Sequence, residues 1–308
     1  MFSRALLPQV KAWPELAQTG VCLLLVPYGG GRLVGRKRGP LEEEPAGGRR
    51  GEGVAGNEGG NMIVIEEVIR RTEQGQTKPY LCRADDGHIY FVKSGGLPRR
   101  ELVAEWLAAN MARAVGVTTP EFSLAEIPEE LCDRRLGAWL RDLVPGVAFA
   151  SQRVEASDFA WSMTSHVPEA QRALIAAFDW WIRNADRTLS ALGGNPNLLW
   201  RQGGQGGEVV VFDHNLAFEA GFHAGQFLDS HVFAADLVRL ASDWVARQQV
   251  RQGFEAALHC LQEACDTIPD AWRFADAEQT VPAAWSLPEM VATLERCRNE
   301  QTFWNLTS

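Results

Sequence analysis

A chain of 308 residues with 46% hydrophobic content is longer than one core usually serves, so two lobes of an ordinary globular protein are expected. A formal net charge of -9 argues against direct nucleic-acid binding or a membrane surface as the main partner. Cys22, Cys82, Cys132, Cys260, Cys265 and Cys297 are scattered with no CxxC pair, which argues against a disulfide framework and fits buried thiols in a cytoplasmic protein.

The first apolar run, residues 21–26, is far too short to cross a bilayer. Arg4 and Lys11 precede it as in a signal peptide, but Gln18 and Thr19, just before the run, interrupt the wider apolar region and no small-residue cleavage site is evident. Residues 29–61 are largely Gly, Arg, Glu and Pro with little to bury, so residues 1–61 read as a disordered or mis-assigned extension. The folded part is expected to begin near Met62.

Residues 79–83 and 88–93 flank the favoured turn pair Asp86-Gly87 and read as a β-hairpin. Period-2 alternation puts Ile89, Phe91 and Lys93 on one face of the second strand. A lysine closing an apolar face either snorkels to water or reaches into a cleft to hold an anion. Residues 75–79, beginning at Gly75, could form a phosphate-covering loop. Residues 101–115 predict a helix closed by Gly116, with Leu102, Val103, Trp106, Leu107 and Met111 packing. Glu105 lies beside Glu101, Ala108 and Ala112, where it would pair with Lys93 if the helix docked behind the hairpin.

A further strand is expected at 122–127, and another with its connection within 136–150, where the lobes should join. Residues 168–183 predict an amphipathic helix through Leu174, Ile175, Phe178, Trp181 and Ile182, delivering Asn184 and Asp186 from a rigid support. Next, 198–200 and 209–212 are short apolar runs around a Gly-rich turn, so they read as paired strands. Asn197 then starts the first strand and Asp213 ends the second, roughly 5 Å apart between Cα atoms if directly opposed. Two carboxylates and an amide oxygen converging there are hard oxygen ligands and a possible base, a set suited to Mg²⁺ with phosphates. The plainer alternative is that Asp213 caps a turn while Asp186 pairs with Arg187 or Arg183. Residues 234–247, 251–267 and 287–302 carry helical spacing.

His214, His223, Asp229 and His231 near Asp213 offer a competing metal centre, but their spacing matches no strong ligand motif. Neither a G-x-S-x-G elbow nor a Walker A loop is present, which disfavours a serine hydrolase and a P-loop NTPase.

Asn184-x-Asp186-Arg-Thr, Asn195-Pro-Asn197-Leu-Leu-Trp200 and Val211-Phe-Asp213-His together resemble the catalytic segment of HipA-like kinases, the bacterial serine/threonine kinases related to HipA toxin kinases. Tyr90-Phe-Val-Lys93, Glu105, Gly116 and Pro120 resemble that family's small lobe. The resemblance implies an α+β, bilobal protein-kinase-like fold, with a small β-rich N-lobe at 62–150 and a larger, mainly helical C-lobe at 151–308 holding the catalytic hairpin. By the same resemblance Lys93 meets the ATP phosphates, Glu105 orients it, Asp186 is catalytic, and Asn197 and Asp213 hold Mg²⁺. The implied partner is a protein substrate; a toxin role and a DNA-binding antitoxin partner are not carried over, since no amino-terminal toxin subdomain is recognisable. Between Asp186 and Asn197 the stretch Leu189-Ser-Ala-Leu-Gly-Gly194 is longer than the family leads one to expect, and its course decides whether Asp186 reaches a γ-phosphate. That length motivates a second reading as a pseudokinase or nucleotide-binding interaction module. A third, a small-molecule kinase of the aminoglycoside kind, is disfavoured by Asn184-Ala185, where those enzymes usually carry His-Gly.

Overall fold

The computed structural model describes residues 62–73, 77–133, 137–203 and 206–306. The extension 1–61 and the loop glycine Gly75 lie outside the described residues. The chain opens with β1 (Ile63–Arg71), a strand its sequence hides. Register shifts at Ile65/Glu67 and Val68/Arg70 bulge it, so IVIEEVIRR never alternates cleanly. β2 (Tyr80–Ala84) and β3 (Ile89–Lys93) form the expected hairpin, with Gly87 at φ 81° in its turn. After α1 (Arg99–Ala114), β4 (Phe122–Ile127) and β5 (Gly146–Gln152) close a five-stranded barrel in the order β1-β2-β3-β5-β4, with β1 and β4 parallel.

Alternation along β4 and β5 separates two cores. Ala125, Ile127, Ala148 and Ala150 point into the barrel with Cys82, Tyr90 and Val92, while Phe122, Leu124, Val147 and Phe149 face a second, larger core. Lys93 is paired in register with Phe149, so it stands on the face that looks out of the barrel. Against that face lies α1, buried on every side from Leu102 to Ala109, including Glu105. Gly116 ends it at φ 77°: its N–H donates to Arg113 O, and that of Val117 donates to Ala112 O, the paired bonds of a Schellman cap.

The rest of the chain places a small sheet among helices. β6 (Ser157–Asp158) is followed by α2 (Glu169–Trp181), and a two-stranded hairpin, β7 (Thr188–Ser190) with β8 (Gly193–Asn195), comes next. β9 (Leu198–Gly203) pairs antiparallel with β10 (Gly206–Val211), and β6 adds to the other edge of β9. Then come α3 (Ala224–Ser230), α4 (Ala234–Ser242), α5 (Trp244–Ala257), α6 (Leu261–Asp266), α7 (Leu287–Glu295) and α8 (Glu300–Phe303). Each of the three helices expected in this region is broken in two. Asp243 ends α4 and caps α5; 3₁₀ turns at Leu258–Cys260 and Arg296–Arg298 divide the other two. The molecule is a mixed α+β protein, and among its described residues no helix is long and apolar enough to cross a membrane.

Candidate active site

Lys93 reaches from β3 toward α1 and the end of β10 at once. Its Nζ donates to Glu105 Oε2 at 2.6 Å and to Asp213 Oδ1 at 2.5 Å. Only 8% of Lys93 and 3% of Glu105 is exposed, so neither charge has water to fall back on. Burial pulls the Lys93 ammonium down, but the carboxylates of Asp213 and Glu105 outweigh it and hold it above the usual lysine range. For Glu105, burial pushes up while Lys93 and the His214 contacts pull down, leaving it at about 2. Its two oxygens also accept from the backbone N–H of His214, at 3.0 and 3.1 Å. Glu105 therefore fastens α1 both to Lys93 and to the residue after Asp213.

The β9–β10 hairpin supplies the other half. Leu198 and Val211 are the final register pair, and the N–H of Phe212 donates to Asn197 O at 3.2 Å, so Asn197 and Asp213 emerge at the same end. Both take left-handed backbone, at φ 48° and 60°, a costly conformation for side-chain-bearing residues that the surrounding contacts must enforce. Asn197 Nδ2 donates to Asp186 Oδ2 at 2.8 Å. Burial raises the Asp186 carboxyl, the Asn197 bond pulls it back, and the negative charge of nearby Asp213 raises it again.

Asp186 pairs with neither Arg187 nor Arg183. Arg187 is fully buried and points away from it, into a cluster of Asp179 and His231. Its guanidinium donates to Asp179 Oδ2 at 2.6 Å and Oδ1 at 3.2 Å, and its Nη1 to the carbonyls of Pro196, Asn197 and Phe212 at 3.2, 2.6 and 3.3 Å. One side chain thus ties the loop after α2 to both strand ends of the hairpin. Asn184 Nδ2 also donates to Asp179 Oδ1 at 2.9 Å. His231 Nδ1 accepts from the Phe233 N–H at 3.1 Å, which leaves the proton on Nε2 to be donated to Asp179 at 3.0 Å. His231 is committed to this cluster, and among the described residues no three His, Cys, Asp or Glu side chains gather to hold a metal.

The sequence names Lys93, Glu105, Asp186, Asn197 and Asp213, and the fold gathers these five; Gly75 is outside the described residues. Asp179 and Arg187 escaped notice as a pair. The available signal was Asp179 itself, an acid four residues after Ile175 and three before Ile182 on the apolar face of α2. Chemically, the site offers a carboxylate on a rigid loop, a clamped ammonium, and oxygens from Asp213 and the Asn197 amide. Because the Asn197 side-chain nitrogen is engaged with Asp186, the side-chain oxygen Oδ1 is the atom free to serve as a ligand. Hard oxygens beside two carboxylates that repel one another fit a divalent cation of the Mg²⁺ kind.

A family model described as HipA-like kinase matches residues 65–307. Among solved structures, one described as a Helicobacter pylori proinflammatory kinase, CtkA, aligns over 80% of this chain and 99% of that chain, with 9% sequence identity and a TM-score of 0.45. No curated protein matches the chain.

Proposed function

Starting from the chain's membership of the HipA-like kinase family, which makes it a kinase, we propose that it transfers the γ-phosphoryl group of ATP to a serine or threonine hydroxyl of a protein. The observation that carries this reading is the junction of Lys93, Glu105 and Asp213 beside the Asp186–Asn197 pair. We read the barrel with α1 as the smaller lobe and the remainder as the larger, near the expected boundary at 150, although β5 runs on to Gln152. The phosphates lie between them, and the compartment we assign is the cytoplasm.

Each side chain then has a task. Lys93 supplies the cation for the phosphates, held in place by Glu105. Asp186 accepts the proton of the acceptor hydroxyl as the new O–P bond forms and the bond from the γ-phosphorus to ADP breaks. Asp213 and the side-chain amide oxygen of Asn197 (Oδ1) would hold Mg²⁺, which when bound neutralises phosphate charge. Arg187 keeps the loop and the hairpin end in register, so that base and metal ligands keep a fixed spacing.

Full-length protein, γ-labelled ATP, Mg²⁺ and a pool of serine, threonine and tyrosine peptides test the reading. Label should appear on serine and threonine, and Asp186→Asn should lower kcat by about 10²–10⁴-fold. Undiminished transfer by Asp186→Asn would remove Asp186 from its role, and nucleotide binding with no turnover would favour an interaction module.

A further inference from the structure

The six residues Leu189-Ser-Ala-Leu-Gly-Gly194 could have swung Asp186 away from the site. Instead they fold on themselves as β7 and β8, with register pairs Thr188–Asn195, Leu189–Gly194 and Ser190–Gly193. Ser190 closes the turn: its Oγ accepts from the Leu192 N–H and donates to Gly193 O, both at 3.2 Å. Leu192 at the tip is 100% exposed. The base is anchored, since Thr188 bridges to His231 and its N–H donates to Asp186 O at 3.1 Å. Gly194 is required where the strands cross: its φ is 154°, and a Cβ there would lie 2.4 Å from Thr188 O.

The returning strand ends on Asn195, whose N–H donates to Thr188 Oγ1 at 3.3 Å and whose Nδ2 donates to Asp186 Oδ2 at 3.2 Å. We propose that Asn195 is a positioning residue for Asp186, delivered by the β7–β8 hairpin so that two amides grip one carboxylate oxygen and leave the other for the acceptor hydroxyl. This rests on the proposed role of Asp186. A carboxylate turns freely about its last torsion when a single donor holds it. Asn195 and Asn197 approach the same Oδ2 from the hairpin end and the start of β9, which fixes the carboxylate plane. Among the described residues Oδ1 has no donor. The hairpin is thus a second arm on the base.

Kinetics of the full chain with γ-labelled ATP and a serine/threonine peptide pool test this. Asn195→Ala should lower kcat about tenfold, the loss typical of one hydrogen bond to a charged group, with KM for ATP unchanged. Asn195→Gln should restore part of the lost kcat. Leu192→Ser, at the tip, should alter neither kcat nor KM. If Asn195→Ala leaves kcat untouched while Asp186→Asn abolishes turnover, the positioning role is wrong and the kinase reading stands. Should Leu192→Ser lower kcat as Asn195→Ala does, the effect belongs to the hairpin generally and the assignment to Asn195 falls. Retained turnover by Asp186→Asn would instead remove the base on which the proposal rests.

Discussion

At the scale of single residues, the site depends on charges that have been taken out of water and given to one another. Lys93 and Glu105 are each almost fully buried, and removing one partner strands the other. Glu105→Gln should therefore cost on the order of 3 kcal/mol near neutral pH. The dependence on pH has a definite sign. The folded carboxyl lies at about 2 against a reference of 4.5, so its contribution is complete above 4.5 and is lost as pH falls toward 2. Asp179, pulled down by Arg187 and His231 against its burial, acts in the same direction. Urea midpoints of wild type and Glu105→Gln, measured at pH 6, 5, 4 and 3, should differ most at pH 6 and converge below 4.5. A gap that stays constant would mean that Glu105 is not held as an ionised partner. Lys93 and Glu105 were legible in the sequence because each broke its own pattern, a charge on an apolar strand face and on a small-residue helix strip. Arg187 was not, since its side-chain partners come from three separate stretches and only the fold brings them together.

At the scale of elements, the sequence was readable where periodicity ran unbroken. The β2–β3 hairpin, α1, β4, α2 and the β9–β10 pair lie where alternation and caps put them. β1 was missed because two bulges erase its alternation, and the β7–β8 hairpin because a three-residue strand beginning with two glycines carries no period. The C-terminal helices were overextended for a different reason: a helical spacing continues through a cap when one residue serves two helices. Asp243 does this. Its N–H donates to Arg239 O and Leu240 O at the end of α4, while its Oδ1 accepts from Val245 N and Ala246 N at 2.9 and 3.0 Å at the start of α5. Asp243→Ala should cost about 1 kcal/mol, seen as a fall in Tm of about 2–4 °C. Phosphoryl transfer at lower temperature should be unchanged, because Asp243 touches nothing in the site. A loss of activity without a change in Tm would contradict the assignment of Asp243 as a purely structural cap.

At the scale of the whole molecule, two cores must keep a fixed spacing if a lysine on a barrel strand is to meet an aspartate after a hairpin. α1 joins them from one side, through Glu105 and through Trp106, whose Nε1 donates to Ala264 O at 3.0 Å. A strap formed by residues 269–285 joins them from the other. Trp272, fully buried, donates through Nε1 to Val147 O on β5 at 3.0 Å, and its own carbonyl accepts from Trp285 Nε1 at 2.8 Å. Arg99, at the start of α1, donates through Nε to Phe274 O at 3.1 Å. This second joint could not be foreseen from the sequence, because indole-to-carbonyl bonds between distant segments leave no local pattern. Trp272→Phe keeps most of the apolar volume but leaves the Val147 carbonyl without its donor, at a cost of about 1–3 kcal/mol. The loss should fall on the barrel rather than on the molecule evenly, since β5 is what the strap holds. Amide hydrogen exchange should therefore speed up in β4 and β5 by roughly 5–150-fold, the factor that corresponds to that cost. Amides of α2, packed in the larger core against Leu294 and Phe303 through its two tryptophans, should keep their protection. Equal acceleration in both regions would mean that the cores open as one unit and that the strap contributes stability without selectively bracing the barrel.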